Sequence, residues 1–545
     1  MSRSTHTFLL CLAAAFLSTA RAQTVTGNLD GHITDPAGGA VPGAEVVAHG
    51  TATGAERATR TNQAGYFEMP FLPIGAYDVT VSLKGFATTV AKGNEVTLNK
   101  TTTLNLSLQV STVQASVTVN DAAQLIDVTS GQIGRSIEDV MLSQLPVSGR
   151  DFRAIVSIFP GFQTNPSAGQ NNYTLSSGST VSFNGTGTRG TSFTTDGIGN
   201  DDYSENQNRQ QVNVETVKEM QVLTNNFSAE FGRGFGAVVL VSTKSGANQT
   251  HGDAYWFYTN SALNARDYFS NAAGSHFNSG GQLVPNVLKA SSKTDRVGGT
   301  VGGAIIKDKL FYFGSFERFW APGATLVTTY LIPPQYLTPA IDPSLPNAAA
   351  DAAFIKSVAA RFPTNLAPNN PAISPYAWQG PEARSRHDHD YTGRADFRKS
   401  DKDLIYGRYQ WSTFYSGLTA EPVKGENVLS NHDFSNVGVT WTHVFSPRTV
   451  GEFRAGYGRR NIHVSFLDPS DNPPIMRWTV SGFSNILGNA SSYPTVRVQN
   501  DFQYVYNLST QIGSKHTLKF GTDIRRTQLN DLEENYNRGF WTFGY

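Results

Sequence analysis

The stretch His516-Thr517-Leu518-Lys519-Phe520-Gly521-Thr522-Asp523-Ile524-Arg525 decides how this chain is read. Successive side chains of a strand point to opposite faces. Leu518, Phe520 and Ile524 therefore share one face, and Lys519, Asp523 and Arg525 share the other. A greasy face backed by a charged one suits a strand between lipid and water, and about 9–11 residues cross a bilayer in this way. The pattern recurs upstream. Tyr506, Leu508 and Ile512 oppose Asn507, Ser509 and Gln511; Phe453, Ala455 and Tyr457 oppose Glu452 and Arg454. Val437, Val439 and Trp441 oppose Gly438, Thr440 and Thr442. Ile405, Tyr409 and Trp411 oppose Arg408, Gln410 and Ser412; Tyr391, Ala395 and Phe397 oppose Arg394, Asp396 and Arg398.

Short turns join these runs in pairs: Lys307-Asp308-Lys309, Lys399-Ser400-Asp401-Lys402, Ser446-Pro447-Arg448 and Gly513-Ser514-Lys515. Long polar stretches, 320–388 and 461–500, separate successive pairs. Membrane barrels alternate short periplasmic turns with long outer loops in this rhythm. Tyr255-Trp256-Phe257-Tyr258 and Phe311-Tyr312-Phe313 are expected to form interfacial girdles. A soluble all-β protein such as a propeller would also alternate, but would not need the short-and-long rhythm. The expectation for 248–545 is part of a transmembrane antiparallel β-barrel of roughly nine strands, with the start of another at Phe540–Phe543. Barrels that hold a plug have about 22 strands, and open sheet edges in lipid leave peptide groups unpaired. The chain is therefore expected to be an incomplete barrel.

Composition agrees with a face that need not meet water. Charged residues are only 16%, against about 25% in soluble domains. A net charge of +0 argues against nucleic acid as a partner, because phosphate binding relies on an excess of Lys and Arg. Residues 1–22 read as a secretory signal peptide. Arg3 and His6 precede the apolar run Phe8 to Leu17, and Ala20-Arg21-Ala22 is an A-x-A site with cleavage between Ala22 and Gln23. The run is too short for a spanning helix, and no later run is long enough, so insertion must use strands. The one cysteine, Cys11, lies inside this leader. No disulfide framework, thiolate metal site or cysteine nucleophile is expected beyond it.

Residues 23–110 show short alternating strands at Ala44–His49, Tyr66–Met69, Tyr77–Leu83 and Thr102–Leu108, where Leu104, Leu106 and Leu108 share a face. Asn62-Gln63-Ala64-Gly65 and Leu72-Pro73-Ile74-Gly75 are turns between them. The segment reads as a β-sandwich of about seven strands. Its runs Gly43-Ala44-Glu45-Val46, Thr53-Gly54, Gly65-Tyr66-Phe67 and Leu72 to Tyr77 resemble the carboxypeptidase regulatory-like domain. That resemblance implies an accessory, carbohydrate-binding-like fold without catalytic residues. Glycan binding through Tyr66, Phe67, Tyr77 or Phe86 competes with a plain core role for these rings.

Residues 111–121 are polar and extended. Residues 122–247 hold a helix signal, Ser136 to Leu142, in which Ser136 is expected to cap and Asp139 follows three residues later, ending before Pro146. An ordered series follows: Leu145 to Phe152, Phe159-Pro160-Gly161, Phe183-Asn184-Gly185-Thr186-Gly187, Phe193-Thr194-Thr195-Asp196-Gly197-Ile198, Val214 to Val222 and Ala229 to Arg233. This series resembles the α/β plug of TonB-dependent receptors, in particular the Oar-like branch with a regulatory-like domain in front. Asn184, Gly185, Asp196 and Gly197 carry the plug motif. Within the linker, Ala115-Ser116-Val117-Thr118-Val119 resembles the degenerate TonB box, and a plain linker strand is the alternative. In the same branch an Arg-Gly-Phe-Trp-x-Phe stretch like Arg538 to Phe543 lies mid-barrel, which supports an incomplete chain.

The resemblance implies an outer-membrane receptor for energy-coupled uptake of an unidentified solute of the siderophore, cobalamin or glycan class. Its partners would be outer-membrane lipid, a TonB-type energy-coupling complex and that extracellular solute. Adhesion or signalling without transport is the competing function. No cofactor is implied, and no catalytic motif such as a Gly-x-Ser-x-Gly elbow is present. His387-Asp388-His389-Asp390 raises a metal reading against a hydrated rim. Asp196, Asn200, Asp201 and Asp202 raise a hard-cation reading against turn chemistry. Neither is expected to be a metal site.

Overall fold

The computed structural model describes residues 26–110, 116–119, 130–145, 155–164, 181–187, 190–203, 207–265, 275–277, 283–285, 292–331, 342–362, 366–369, 375–418, 428–466, 477–480, 483–487, 494–513, 516–533 and 540–543. The chain is mainly β. Its first unit comprises β1 (Gly27–Thr34), β2 (Glu45–Gly50), β3 (Glu56–Arg60), β4 (Tyr66–Leu72), β5 (Gly75–Ser82), β6 (Thr88–Val96), β7 (Thr101–Thr103) and β8 (Leu106–Ser107). One sheet runs β4–β1–β7, with β8 also on β1, and the other runs β3–β2–β5–β6. Leu29 and Met69 of the first meet Val46, Val79 and Ala91 of the second in one apolar core. The expected strand Thr102–Leu108 is broken in two. There the Asn105 side chain, not a ladder carbonyl, accepts the His32 N–H at 2.9 Å. Leu104, Leu106 and Leu108 all reach the core nonetheless. A further strand, β9 (Ser116–Val119), adds in parallel to Thr88–Ala91 of β6 and becomes the edge of the second sheet.

The second unit holds β10 (Ile133–Glu138), α1 (Asp139–Gln144), β11 (Phe162–Thr164), β12 (Val181–Phe183), β13 (Thr191–Thr195), β14 (Ile198–Gly199), β15 (Asp201–Asp202), β16 (Gln207–Asn208), β17 (Val217–Asn225) and β18 (Ala237–Thr243). Its sheet is ordered β10–β17–β18–β13–β14, and Ile137, Phe183, Phe193, Val222 and Val239 form a core of its own. The helix begins later than the capping signal suggested. Ser136 lies within β10 opposite Gln221, and Glu138 takes the N-cap position with no side-chain cap. Ladder bonds to β17 hold the backbone extended through Glu138, so the sheet overrides the local capping tendency. The helix does end before Pro146.

The third unit contains β19 (His251–Asn260), β20 (Ser275–Phe277), β21 (Leu283–Pro285), β22 (Lys293–Ile306), β23 (Leu310–Tyr330), α2 (Ala348–Ala359), β24 (Ala377–Ser400), β25 (Asp403–Leu418), β26 (Val428–Ser446), β27 (Thr449–Phe466), β28 (Arg477–Val480), β29 (Phe483–Leu487), β30 (Thr495–Ile512), β31 (His516–Glu533) and β32 (Phe540–Phe543). Nine of these form one antiparallel sheet, β19–β22–β23–β24–β25–β26–β27–β30–β31. Two-faced alternation is borne out. Tyr409, Val439, Trp441, Phe520 and Ile524 are exposed outward, and Arg408, Gln410, Thr440, Glu452 and Arg454 are buried inward.

Three expectations need correction. The strands run well past the length that crosses a bilayer, so the loops within 320–388 and 461–500 are shorter, and the first also contains α2. Phe311 and Phe313 are buried on the inner face, so that run forms no outer girdle, whereas Trp256, Phe257 and Tyr258 are exposed. Phe540–Phe543 does not extend the large sheet. It pairs in parallel with β28, in a three-stranded sheet with β29. Among the described residues no helix is long and apolar enough to cross a membrane.

Candidate functional site

The two glycine motifs of the plug are tight turns. Asn184 and Gly185 have φ of 53° and 73°, and Asp196 and Gly197 have φ of 48° and 71°. Two successive left-handed residues make a type I′ turn, for which Asn-Gly and Asp-Gly are the favoured pairs. At Asp196-Gly197 the turn joins β13 to β14, with Thr195 opposite Ile198. At Asn184-Gly185 the Thr186 N–H closes onto the Phe183 carbonyl at 3.0 Å. The Asp196-Gly197 turn lies against Arg454 and Arg408 of the wall, and the plug is seated there.

Asp196 is the centre of that seat. Its carboxylate accepts from the Thr243 N–H at 2.9 Å and the Thr243 hydroxyl at 2.7 Å. Two arginines reach it from the inner face of the wall: Arg408 Nε at 2.8 Å and Arg394 at 3.5 Å. Arg408 also donates to Asn436 at 2.7 Å and to the Thr195 carbonyl at 3.3 Å. Arg394 forks onto Asp396. Further along, Asp202 pairs with Arg460 of β27. Arg209 pairs with Asp501 of β30 at 2.6 Å and donates to the Gly199 carbonyl. Gly199 N–H in turn donates to Gln503 at 2.7 Å. Arg525 of β31 reaches the Tyr203 hydroxyl at 3.1 Å, while Arg233 lies over the Tyr203 ring. Burial pushes the Asp201 carboxyl above its usual range, although the Phe193 N–H and Arg525 pull it down.

Shape adds to charge. Ile198 fills a notch made by two wall glycines. A Cβ at Gly456 would sit 2.5 Å from Ile198 Cγ2, and one at Gly438 would sit 2.8 Å from Ile198 Cγ1. Small residues on β26 and β27 therefore let the plug turn approach the wall backbone closely.

The sandwich side of the plug is different in kind. Leu98 packs into an apolar cluster with Leu223, Phe231, Val238 and Leu240 of the plug, and Ile74 lies against it. The Leu98 N–H donates to Glu219 at 2.7 Å, and Asn99 donates to Gln221 at 3.2 Å. Burial raises the Glu219 carboxyl above its ordinary value, and the Leu98 N–H works against that shift.

The other sequence candidates fall as follows. His387 and His389 lie on the outward face of β24. His387 stacks on Tyr415, and His389 N–H donates to Thr413, while Asp388 pairs with Arg386. Among the oxygen-rich plug residues, Asn200 bonds to Asn208 and Gln210, Asp201 to Ser192 and Phe193, and Asp196 and Asp202 to arginines. Among the described residues no group of three metal-binding side chains is present. Phe67 and Tyr77 are in the sandwich core and Phe86 packs against it. The Tyr66 hydroxyl donates to Asp30. Ala115, Ala22 and Gln23 lie outside the described residues; Ser116, Val117, Thr118 and Val119 make up β9. The alternation placed the wall arginines inward, but not opposite their plug partners. Arg408 and Thr195 are 213 residues apart in the chain, and no local pattern pairs them. An inward arginine on a low-charge strand was the one signal available.

Comparison with known proteins agrees with this architecture. Residues 242–545 match the outer membrane beta barrel domain family, and residues 28–109 match the carboxypeptidase regulatory-like domain. The chain is similar to the TonB-dependent transporter Oar of Myxococcus xanthus, 27% identical over 320 residues, which are 56% of this chain and 27% of that relative. Among solved structures it is similar to the outer membrane transporter YddB from Escherichia coli, with a TM-score of 0.49 and 10% identity over 73% of this chain and 48% of the other. It is also similar to the siderophore receptor PirA from Acinetobacter baumannii, with a TM-score of 0.44 and 15% identity over 73% and 48%. The chain thus spans less than half the length of the relatives it matches.

Proposed function

This chain belongs to the outer membrane β-barrel family and is located in the outer membrane, and on that premise we propose that it serves as a TonB-dependent receptor of the Oar-like kind, taking up a scarce solute by energy-coupled displacement of its plug. The observation that carries the reading is the seat of the plug. The plug has its own apolar core, yet it meets the wall through arginine–carboxylate pairs at Asp196, Asp202 and Asp501. A buried ion pair contributes little net stability because desolvation offsets its attraction, while its geometry fixes position. Such an interface holds a separately folded body in one place and lets it leave without unfolding the barrel.

The strand β9, with Ala115 before it, is the coupling segment in this reading. It is extended and sits at a sheet edge, the form in which a partner strand is added. The role is reception and transport rather than catalysis, as in the relatives, which are transporters and receptors. The solute belongs to the siderophore, cobalamin or glycan class. Deletion of Ala115–Val119 from the chromosomal copy tests the proposal, with growth measured on ferric siderophores, cobalamin or oligosaccharides as the limiting nutrient. Loss of growth on one of them, with the protein still in the outer membrane, supports it. Unchanged uptake together with lost cell contact assigns adhesion instead.

A further inference from the structure

The N-terminal sandwich is not a free appendage. It touches the wall beside all four short turns. Gly54 lies against Asp308 in the first, and Arg398, near the second, donates to the Gly54 carbonyl at 2.6 Å. The Thr59 hydroxyl donates to the Pro447 carbonyl in the third at 3.0 Å. Thr517, just past the fourth, donates to Glu68 at 2.7 Å. Between these points Phe71 packs against Val444 and Val450, with Lys519 over its ring.

Phe71 reaches the wall at a cost. Its φ is 57°, a left-handed conformation that a bulky residue rarely adopts. The β1–β4 register slips beside it, between Gly27 and Leu29. Such an irregularity re-aims a side chain away from its own sheet. Phe71 is thus directed out of the sandwich core and into the barrel mouth. Strained backbone persists where the surroundings over-determine it, which is typical of clamps and switches. Behind this contact lies a cavity of about 540 Å³ with three walls. The sandwich contributes Thr51 and Phe71, the plug contributes Ser242 and Ser245, and the barrel contributes Arg394 and Tyr406.

We propose that the sandwich is a periplasmic clamp, bound to the plug through Leu98 and to the barrel mouth through Phe71, which closes this vestibule and must release the mouth before anything passes through. The clamp itself does not depend on the uptake reading; only the requirement for release rests on it. The contacts predict where the vestibule becomes open. With Phe71 withdrawn, the contacts named above that remain are the Gly54–Asp308 approach and single hydrogen bonds at or near the turns, each of modest net worth.

The test uses the full chain in outer-membrane vesicles, in a Cys11→Ala background so that no native thiol remains. Ser245→Cys places one thiol in the vestibule, and a membrane-impermeant maleimide is added after the vesicles are opened so that it reaches the periplasmic face. Labelling is expected to be slow, and about tenfold faster when Phe71→Asp is added, as for a local opening made easier. Equal rates with and without Phe71→Asp overturn the clamp. A second measurement covers the case in which Phe71→Asp does not fold. A Cβ at Gly54 falls 3.3 Å from the Asp308 Cβ, within a few tenths of an ångström of the separation of about 3.5–4.5 Å that a disulfide spans. Gly54→Cys with Asp308→Cys is expected to form a disulfide when diamide is added as the two-electron oxidant, and failure to cross-link in folded protein overturns the docking. Because neither readout involves solute or energy coupling, an unsuccessful uptake experiment leaves this test independent.

Discussion

The plug has two interfaces, and they are built from opposite chemistry. Toward the wall it presents Asp196, Asp202 and Arg209 to charged partners on four strands. Toward the sandwich it presents Leu223, Phe231, Val238 and Leu240 around Leu98. Apolar burial is non-directional and grows with area, so the plug–sandwich contact behaves as an extension of a core. The wall contact is directional and gains little net stability for its size, since each charge gives up its water. The ion-paired joint is the one made to part. Plug and sandwich are joined as a unit, and the unit is keyed to the barrel by pairs that specify position more than they add stability.

Breaking the key should produce the largest effect. Asp196→Ala leaves Arg408 buried without its carboxylate, while Arg394 keeps Asp396. The expected loss is about 3–5 kcal/mol, read as a lower urea midpoint for plug protection with the wall sheet intact. Next comes the apolar anchor on the barrel mouth. Phe71→Ala gives up about 2–3 kcal/mol of burial and should expose the sandwich to limited proteolysis while its own core, which excludes Phe71, stays folded. A third change tests shape. Gly456→Val drives a side chain into Ile198 and should cost about 1–3 kcal/mol through overpacking. Ile198→Ala in the same chain should recover part of that loss, a coupling that double-mutant analysis measures directly.

The smallest effect sharpens the comparison on the sandwich side. Glu219 is the titratable group that faces Leu98, and burial raises its carboxyl from the ordinary value of 4.5. A raised value in the docked state means that docking binds the proton. The contribution is therefore fully present below 4.5 and is lost as pH rises through the raised value. Protease protection of the sandwich–plug joint should fall across that window, and Glu219→Gln should flatten the profile.

Much of the fold was legible because strands repeat every two residues and barrels alternate short turns with long loops. The inward and outward faces at Arg408, Thr440 and Phe520 follow from that period alone. Asn184-Gly185 and Asp196-Gly197 stood out through the resemblance to a plug, and each proves to be a pair of left-handed residues in a tight turn. The misses came where distant segments overrule local pattern. Ser136 looks like a cap, but β17 holds it in a strand. Phe311 and Phe313 look like a girdle, but the sheet turns them inward. Phe540–Phe543 looks like a barrel strand, but β28 takes it in parallel. The seat of the plug was half legible. Its turn could be read, but the arginines that receive it, Arg394 and Arg408, lie far along the chain, and only the pairing of the wall strands brings them there. The docking of Phe71 had no signal in period or composition, since it depends on one left-handed residue.

Hydrogen exchange of the full chain in lipid, comparing the parent with Asp196→Asn, separates the two joints of the plug. Two amides report the two joints: Gly199 N–H, which donates to Gln503 of the wall, and Leu98 N–H, which donates to Glu219 across the sandwich joint. Gly199 is expected to exchange about a hundredfold faster in the variant while Leu98 keeps its rate, because the two joints open separately. If both amides accelerate together, or neither changes, the plug is not a distinct body keyed to the wall by its ion pairs, and the contrast drawn between its two interfaces is wrong.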